Sequence, residues 1–106
     1  MQVATGLRLL FAMLLDELLQ GVEQRVESSV AVSRGMRYAR RYYQDALDAY
    51  LTINSPQQAA RASTALEAMT QAGREIEDDR SSVRALFMRE RANFMRAVRE
   101  GLGMPA

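Results

Sequence analysis

The 106-residue chain contains no cysteine, no histidine, no tryptophan and no lysine, and only two prolines. Without cysteine there is no disulfide framework, no thiolate metal site and no thiol nucleophile. Without histidine the commonest general base near neutral pH and the commonest metal ligand are both missing. A serine or threonine nucleophile would have only carboxylates or arginines to activate it, so enzyme activity is not expected. No cofactor-binding or metal-binding motif is present either. All fourteen cations are arginine. A GC-rich, bacterial genome gives that bias without further cause, since Arg and Lys are near-equal helix formers. The sharper reading is that the cations work in planar, hydrogen-bonded ion pairs, where Arg outperforms Lys.

Long hydrophobic runs are also scarce. The stretch from Leu7 to Leu19 carries Arg8, Asp16 and Glu17 and falls short of the ~20 apolar residues that a membrane span needs. It has no basic segment before it and no small-residue cleavage site, so a signal peptide is not indicated. The expected location is the cytoplasm, or outside it by a route that uses no such signal.

What is present is helical periodicity. Apolar or small residues recur at three-and-four spacing from Leu7 through Phe11, Leu14, Leu18, Val22 and Val26 to Met36, Ala39, Tyr43 and Tyr50. A second stripe runs through Ala59, Ala62, Leu66, Met69, Gly73, Ile76, Arg80, Val83, Phe87, Glu90, Phe94 and Ala97. Between them lies Asn54-Ser55-Pro56-Gln57-Gln58. Ser55 fits an N-cap, Pro56 the first helical residue and Gln58 the third, a capping box with proline in its preferred place. Strand signals are nearly absent. The sequence therefore predicts a single all-α domain over 1–106, with one arm at about 5–52, a turn at 53–56 and a second arm at about 56–102.

Folding the chain back at Asn54 places residue i near residue 108 − i and sets opposite charges together. Asp45 and Asp48 then face Arg61, Arg40 and Arg41 face Glu67, Arg34 faces Glu75 and Glu77, and Glu23 and Glu27 face Arg80 and Arg84. Asp16 and Glu17 meet Arg89 and Arg91, and Arg8 meets Glu100. Tyrosines of the first arm oppose alanines of the second, which suits interdigitation. The same register brings Gly35 opposite Gly73. Two architectures follow. One is a long antiparallel hairpin, a two-helix coiled coil that associates into a larger bundle. The other is a compact four-helix bundle with breaks near Gly35 and Gly73. In-phase stripes through both glycines favour the hairpin.

Leu7, Leu9, Leu10, Phe11, Met13, Leu14, Leu15, Leu18 and Leu19 wrap about 280° of the first helix, where a core-facing stripe needs ~100°. Phe87, Met88, Phe94, Met95, Val98 and Leu102 are similarly generous on the second arm. Large apolar surfaces mark interaction sites, and methionine suits adaptable binding. The expected partner-binding set is therefore Leu7, Leu10, Phe11, Leu14, Leu15, Leu18, Leu19, Phe87, Met88, Phe94, Met95, Val98 and Leu102. It would serve a homo-oligomer or a heterodimer, in an assembly subunit, adaptor or small chaperone of a bacterial or phage system. The other class is a nucleic-acid-binding regulator. There Arg34, Arg37 and Arg41 would meet phosphates while Tyr38 and Tyr42 stack on bases, although the chain's net charge of +1 is unlike that of a dedicated nucleic-acid binder. The acidic run Glu75-Ile76-Glu77-Asp78-Asp79 places Glu75 and Asp79 on one helix face, which could hold Mg²⁺ or Ca²⁺. An acidic face paired with arginines accounts for it without a metal.

Overall fold

The computed structural model describes the backbone of residues 2–25, 28–74 and 80–103, and within them the side chains of 6–25, 28, 30–72 and 83–103. Every element in these residues is helical: α1 (Gln2–Glu23), α2 (Ser29–Tyr43), a π-helical turn (Gln44–Asp48), α3 (Ala49–Asn54), α4 (Pro56–Arg74) and α5 (Arg80–Gly101). The backbone stays right-handed helical through both ends of the π turn, so α2, the turn and α3 form one rod. None of these helices is long and apolar enough to cross a membrane.

The all-α expectation holds, but the first arm is not continuous. It is interrupted between Glu23 and Ser29. Helix α1 ends in a tightened turn, with the Arg25 N–H donating to the Val22 carbonyl at 2.9 Å. Ser28 is extended (φ −117°, ψ 113°), and its side chain accepts the Ala31 N–H at 3.2 Å. That is an N-cap, which satisfies an otherwise orphaned donor and starts a new helix. The break therefore lies several residues before Gly35, which sits inside α2. Gly73 lies inside α4, one residue before its end, and its surroundings fall outside the described side chains.

The consequence is a four-helix arrangement rather than two long arms. Helix α1 packs on α2 and on α5, α2 packs on α4, and α4 packs on α5, so neighbours along the ring run antiparallel. The molecule measures 47 × 20 × 20 Å, too short for an unbroken rod of ~70 Å. Gly35 does close an interhelical contact, but with Val22 of α1 rather than with Gly73: a Cβ at Gly35 would collide with the Val22 side chain.

The inner hairpin keeps its expected register. Arg40 pairs with Glu67 at 3.6 Å across α2 and α4, and Tyr43 shares a small cavity with Ser63 and Leu66. Arg61, however, lines the α4–α5 cleft with Glu90, Asn93 and Arg96 rather than turning to Asp45 or Asp48. The turn also differs in detail. The Ser55 hydroxyl donates to the Gly101 carbonyl at 3.1 Å, tying the turn to the end of α5 instead of closing a capping box. Gly101 suits this close approach, because a Cβ there would collide with Leu51.

The core runs along the axis through Leu15, Leu19, Met36, Tyr43, Leu47, Leu51, Met69, Phe87, Phe94 and Val98. At its centre Tyr43 meets Phe94 edge to face, with ring centroids 5.4 Å apart, an arrangement the aromatic quadrupole favours. Tyr43, Leu47 and Leu51 are spaced by fours. At 100° per residue each such step overruns a full turn by 40°. The wider π turn at Gln44–Asp48 takes up the overrun and keeps all three facing inward.

Candidate interaction surface

Four of the expected partner-binding leucines belong to one exposed row. Leu7, Leu10, Leu14 and Leu18 are 48%, 48%, 44% and 37% exposed on α1. Their spacing of three, four and four keeps them on one helix face. A second face of α1, turned by about 115° at 100° per residue, is buried through Ala12, Leu15, Leu19 and Val22. The helix is thus apolar on two sides, and only one of them is covered within the described chain. Met13, also exposed, flanks the row.

The rest of the expected set divides differently. Leu15, Leu19, Phe87, Phe94, Met95 and Val98 are buried in the chain's own core. This corrects their assignment to a partner surface: α1 and α5 lie side by side within one molecule and cover each other. Phe11 is half-buried, edge-on to Tyr42 at 6.0 Å, and Leu102 is half-buried against the core. Met88 is exposed, but it stands on α5, apart from the α1 row.

Beside the leucine row runs the outer face of α2. Arg34, Arg37 and Arg41 recur there at three-and-four spacing and are exposed, as is Tyr38. Arg41 reaches Asp45 at 3.9 Å, with both side chains largely in solvent, so that pair contributes little. Arg34 and Arg37 have no ion-pair partner among the described residues. The carboxylates expected opposite Arg34, Glu75 and Glu77, lie outside the described residues, as does the whole acidic run 75–79. Tyr42 is turned toward Phe11 and is not free to stack on a base.

Between the two rows lies a groove of about 330 Å³. Its lining includes Gly21, Val22, Ala31 and Gly35, with Leu18 and Glu17 on the α1 side and Tyr38 and Arg34 on the α2 side. The small residues let the backbones of α1 and α2 approach and leave a concave strip between the ridges. A Cβ at Gly21 would meet nothing within 4 Å.

The half-buried charges between α1 and α5 serve the fold. Arg91 of α5 reaches Asp16 at 3.3 Å and Glu23 at 3.1 Å, both on α1, and all three side chains are largely covered. Arg8, expected opposite Glu100, instead lies over the Tyr50 ring at 3.7 Å. It gains a cation–π contact and pins the start of α1 to α3. The Tyr43 hydroxyl is buried without a hydrogen-bond partner. Burial, and secondarily the nearby Asp48 charge, push its pKa up to about 12. Burial also raises that of Tyr42.

Sequence reasoning missed the groove because its small residues fit equally well into a coiled-coil seam. The Ser28 cap was the available signal: a serine directly before the helical pattern of α2 marks a start. No protein-family model, curated protein or solved structure matches the chain.

Proposed function

We propose that the chain is a protein–protein interaction module, an adaptor or assembly subunit that docks a partner on the exposed leucine row of α1. The observation that carries this is the second apolar face of α1, with Leu7, Leu10, Leu14 and Leu18 at 37–48% exposure beside a helix face already buried. Fully burying an exposed leucine side chain contributes about 1.5–3 kcal/mol. These four are already more than half covered, so a partner gains roughly half of that at each, which offsets part of the cost of association. Sedimentation at high micromolar concentration tests the reading. The wild-type chain should associate reversibly through the row when no partner is present, and the Leu10→Ser/Leu14→Ser double variant should sediment as a monomer with an unchanged melting temperature. A wild-type chain that stays monomeric throughout would remove the row's claim to be adhesive.

The arginine row of α2 favours a second reading, a regulator that binds nucleic acid. Phosphate contacts through Arg34, Arg37 and Arg41 would make affinity fall steeply with salt. The edge-on packing of Tyr42 against Phe11 removes one of the two expected stacking residues, and the reading is weaker for it.

A further inference from the structure

We infer that the groove between α1 and α2 receives an amphipathic helix of acidic character, its apolar stripe on the leucine row and its carboxylates toward Arg34 and Arg25. This rests on the interaction reading above and adds the chemistry of the partner. The two ridges belong to neighbouring packed helices, and such axes lie 8–10 Å apart, so a third helix seated between them touches both. Its apolar residues, spaced by threes and fours, match the spacing of Leu7, Leu10, Leu14 and Leu18. The concave strip at Gly21, Ala31 and Gly35 admits one large side chain between the ridges.

Charge selects among the possible occupants. The α2 wall presents Arg34 without an ion-pair partner among the described residues, and Arg25 is exposed at the end of the groove. Arg37 and Arg41 are exposed farther round α2, where they line a separate hollow with Arg40, Asp45 and Thr70. On the α1 wall Glu17 is the exposed carboxylate. The groove thus carries the cations Arg25 and Arg34 against the single carboxylate Glu17, and a partner with carboxylates toward them gains on contact. A basic helix would set like charges together and lose affinity. A lipid surface would meet the leucines and arginines but has no side chain to fill the strip, and a nucleic acid would leave the leucine row uncovered.

The test uses the full chain and two synthetic helical peptides of about 20 residues, some 30 Å long. Both carry leucines at three-and-four spacing; one has glutamates along a single flank, and the other has lysine at each glutamate. Vesicles of phosphatidylcholine with phosphatidylserine and a short duplex DNA are the remaining probes. The glutamate peptide should bind, and its affinity should fall about tenfold in Leu14→Ser through lost apolar burial. It should fall comparably in Arg25→Glu/Arg34→Glu, and there the lysine peptide should become the better ligand. The thermal melt of the arginine variant should match the wild type, because both residues are exposed, and that of Leu14→Ser should fall only slightly, because Leu14 is 44% exposed. Equal binding of the two peptides to the wild type, abolished together by Leu14→Ser, would overturn the acidic partner and leave the leucine surface intact. Binding of vesicles or DNA with neither peptide bound would overturn this inference and the protein-interaction reading together.

Discussion

Two glycines on the α1–α2 face have opposite roles, although both sit inside helices. A methyl group on Gly21 would have nothing within 4 Å, whereas one on Gly35 would strike Val22, a buried β-branched side chain with little freedom to move. Gly21→Ala should therefore stabilise the chain by up to ~1 kcal/mol through helix propensity and a less flexible unfolded state. Gly35→Ala gains the same term but must push α1 and α2 apart, at about 1–3 kcal/mol, and should melt lower than the wild type. Combining Gly35→Ala with Val22→Ala should cost less than the sum of the two single changes, because the removed methyls make room for the added one. Denaturant titration of these variants measures all three effects. A second residue prediction concerns Tyr43, whose hydroxyl is buried and unpartnered beside Phe94. Its pKa rises from 10.0 to about 12 on folding, so the folded state holds a proton that the unfolded chain gives up. The stability linked to this group is complete below pH 10 and is lost as pH climbs toward 12. Tyr43→Phe keeps the ring and removes the orphan, so it should be neutral or stabilising by about 1 kcal/mol at neutral pH. It should also flatten the fall in melting temperature through that alkaline window, leaving only the smaller contribution of Tyr42.

At the level of elements, the second half of the molecule is readable from sequence and the first helix is not. Of the expected inner stripe, Ala59, Ala62, Leu66, Met69, Val83, Phe87, Phe94 and Ala97 are buried, because α4 and α5 carry polar residues on their other faces. Glu90 is half-buried, and the surroundings of Gly73 and the side chains of Ile76 and Arg80 lie outside the described residues. Helix α1 is apolar around most of its circumference, so spacing alone does not say which side turns inward. The expected seam at Leu7, Leu14 and Leu18 is the exposed row, and the buried line runs instead through Ala12, Leu15 and Leu19. The charge pairing at 108 − i holds at Arg40–Glu67 and Asp16–Arg91, but it does not select the long hairpin. In a four-helix ring α2 is antiparallel to α4 and α1 is antiparallel to α5, so both architectures share those pairs. Glu23 breaks the degeneracy. It joins Asp16 on Arg91, whereas the fold-back sets it opposite Arg80 and Arg84; the Arg80 side chain lies outside the described residues. The exposed row is legible as an excess of leucine, but its limits depend on which face the bundle covers.

For the whole molecule, the same local contacts distinguish a closed bundle from an opened one. The ring of helices closes because the chain reverses after Glu23, which brings Arg8 of α1 onto Tyr50 of α3. Were residues 24–28 to straighten into helix, α1 and α2 would become one rod, and Leu10 and Ala49 would stand roughly 60 Å apart at 1.5 Å per residue. In that form α1 could reach the same inner surface only on another copy, which is how domain swapping generates dimers without new contacts. Spin labels at the exposed positions Leu10 and Ala49 resolve the two forms. The closed bundle should give a short distance, on the scale of its 20 Å width, unchanged when labelled chains are diluted with unlabelled ones. A swapped dimer would give a short distance that fades on such dilution, because it would join different chains, together with a persistent long one within each chain. Loss of the Ser28 cap should shift the balance toward the open form, since its side chain holds the α2 start against continuation from α1. Ser28→Ala, which removes about 1 kcal/mol of capping, should therefore raise the long-distance fraction at high protein concentration. A short, dilution-independent distance in both proteins would mean that helix packing alone closes the ring and that the cap has no part in keeping the chain monomeric.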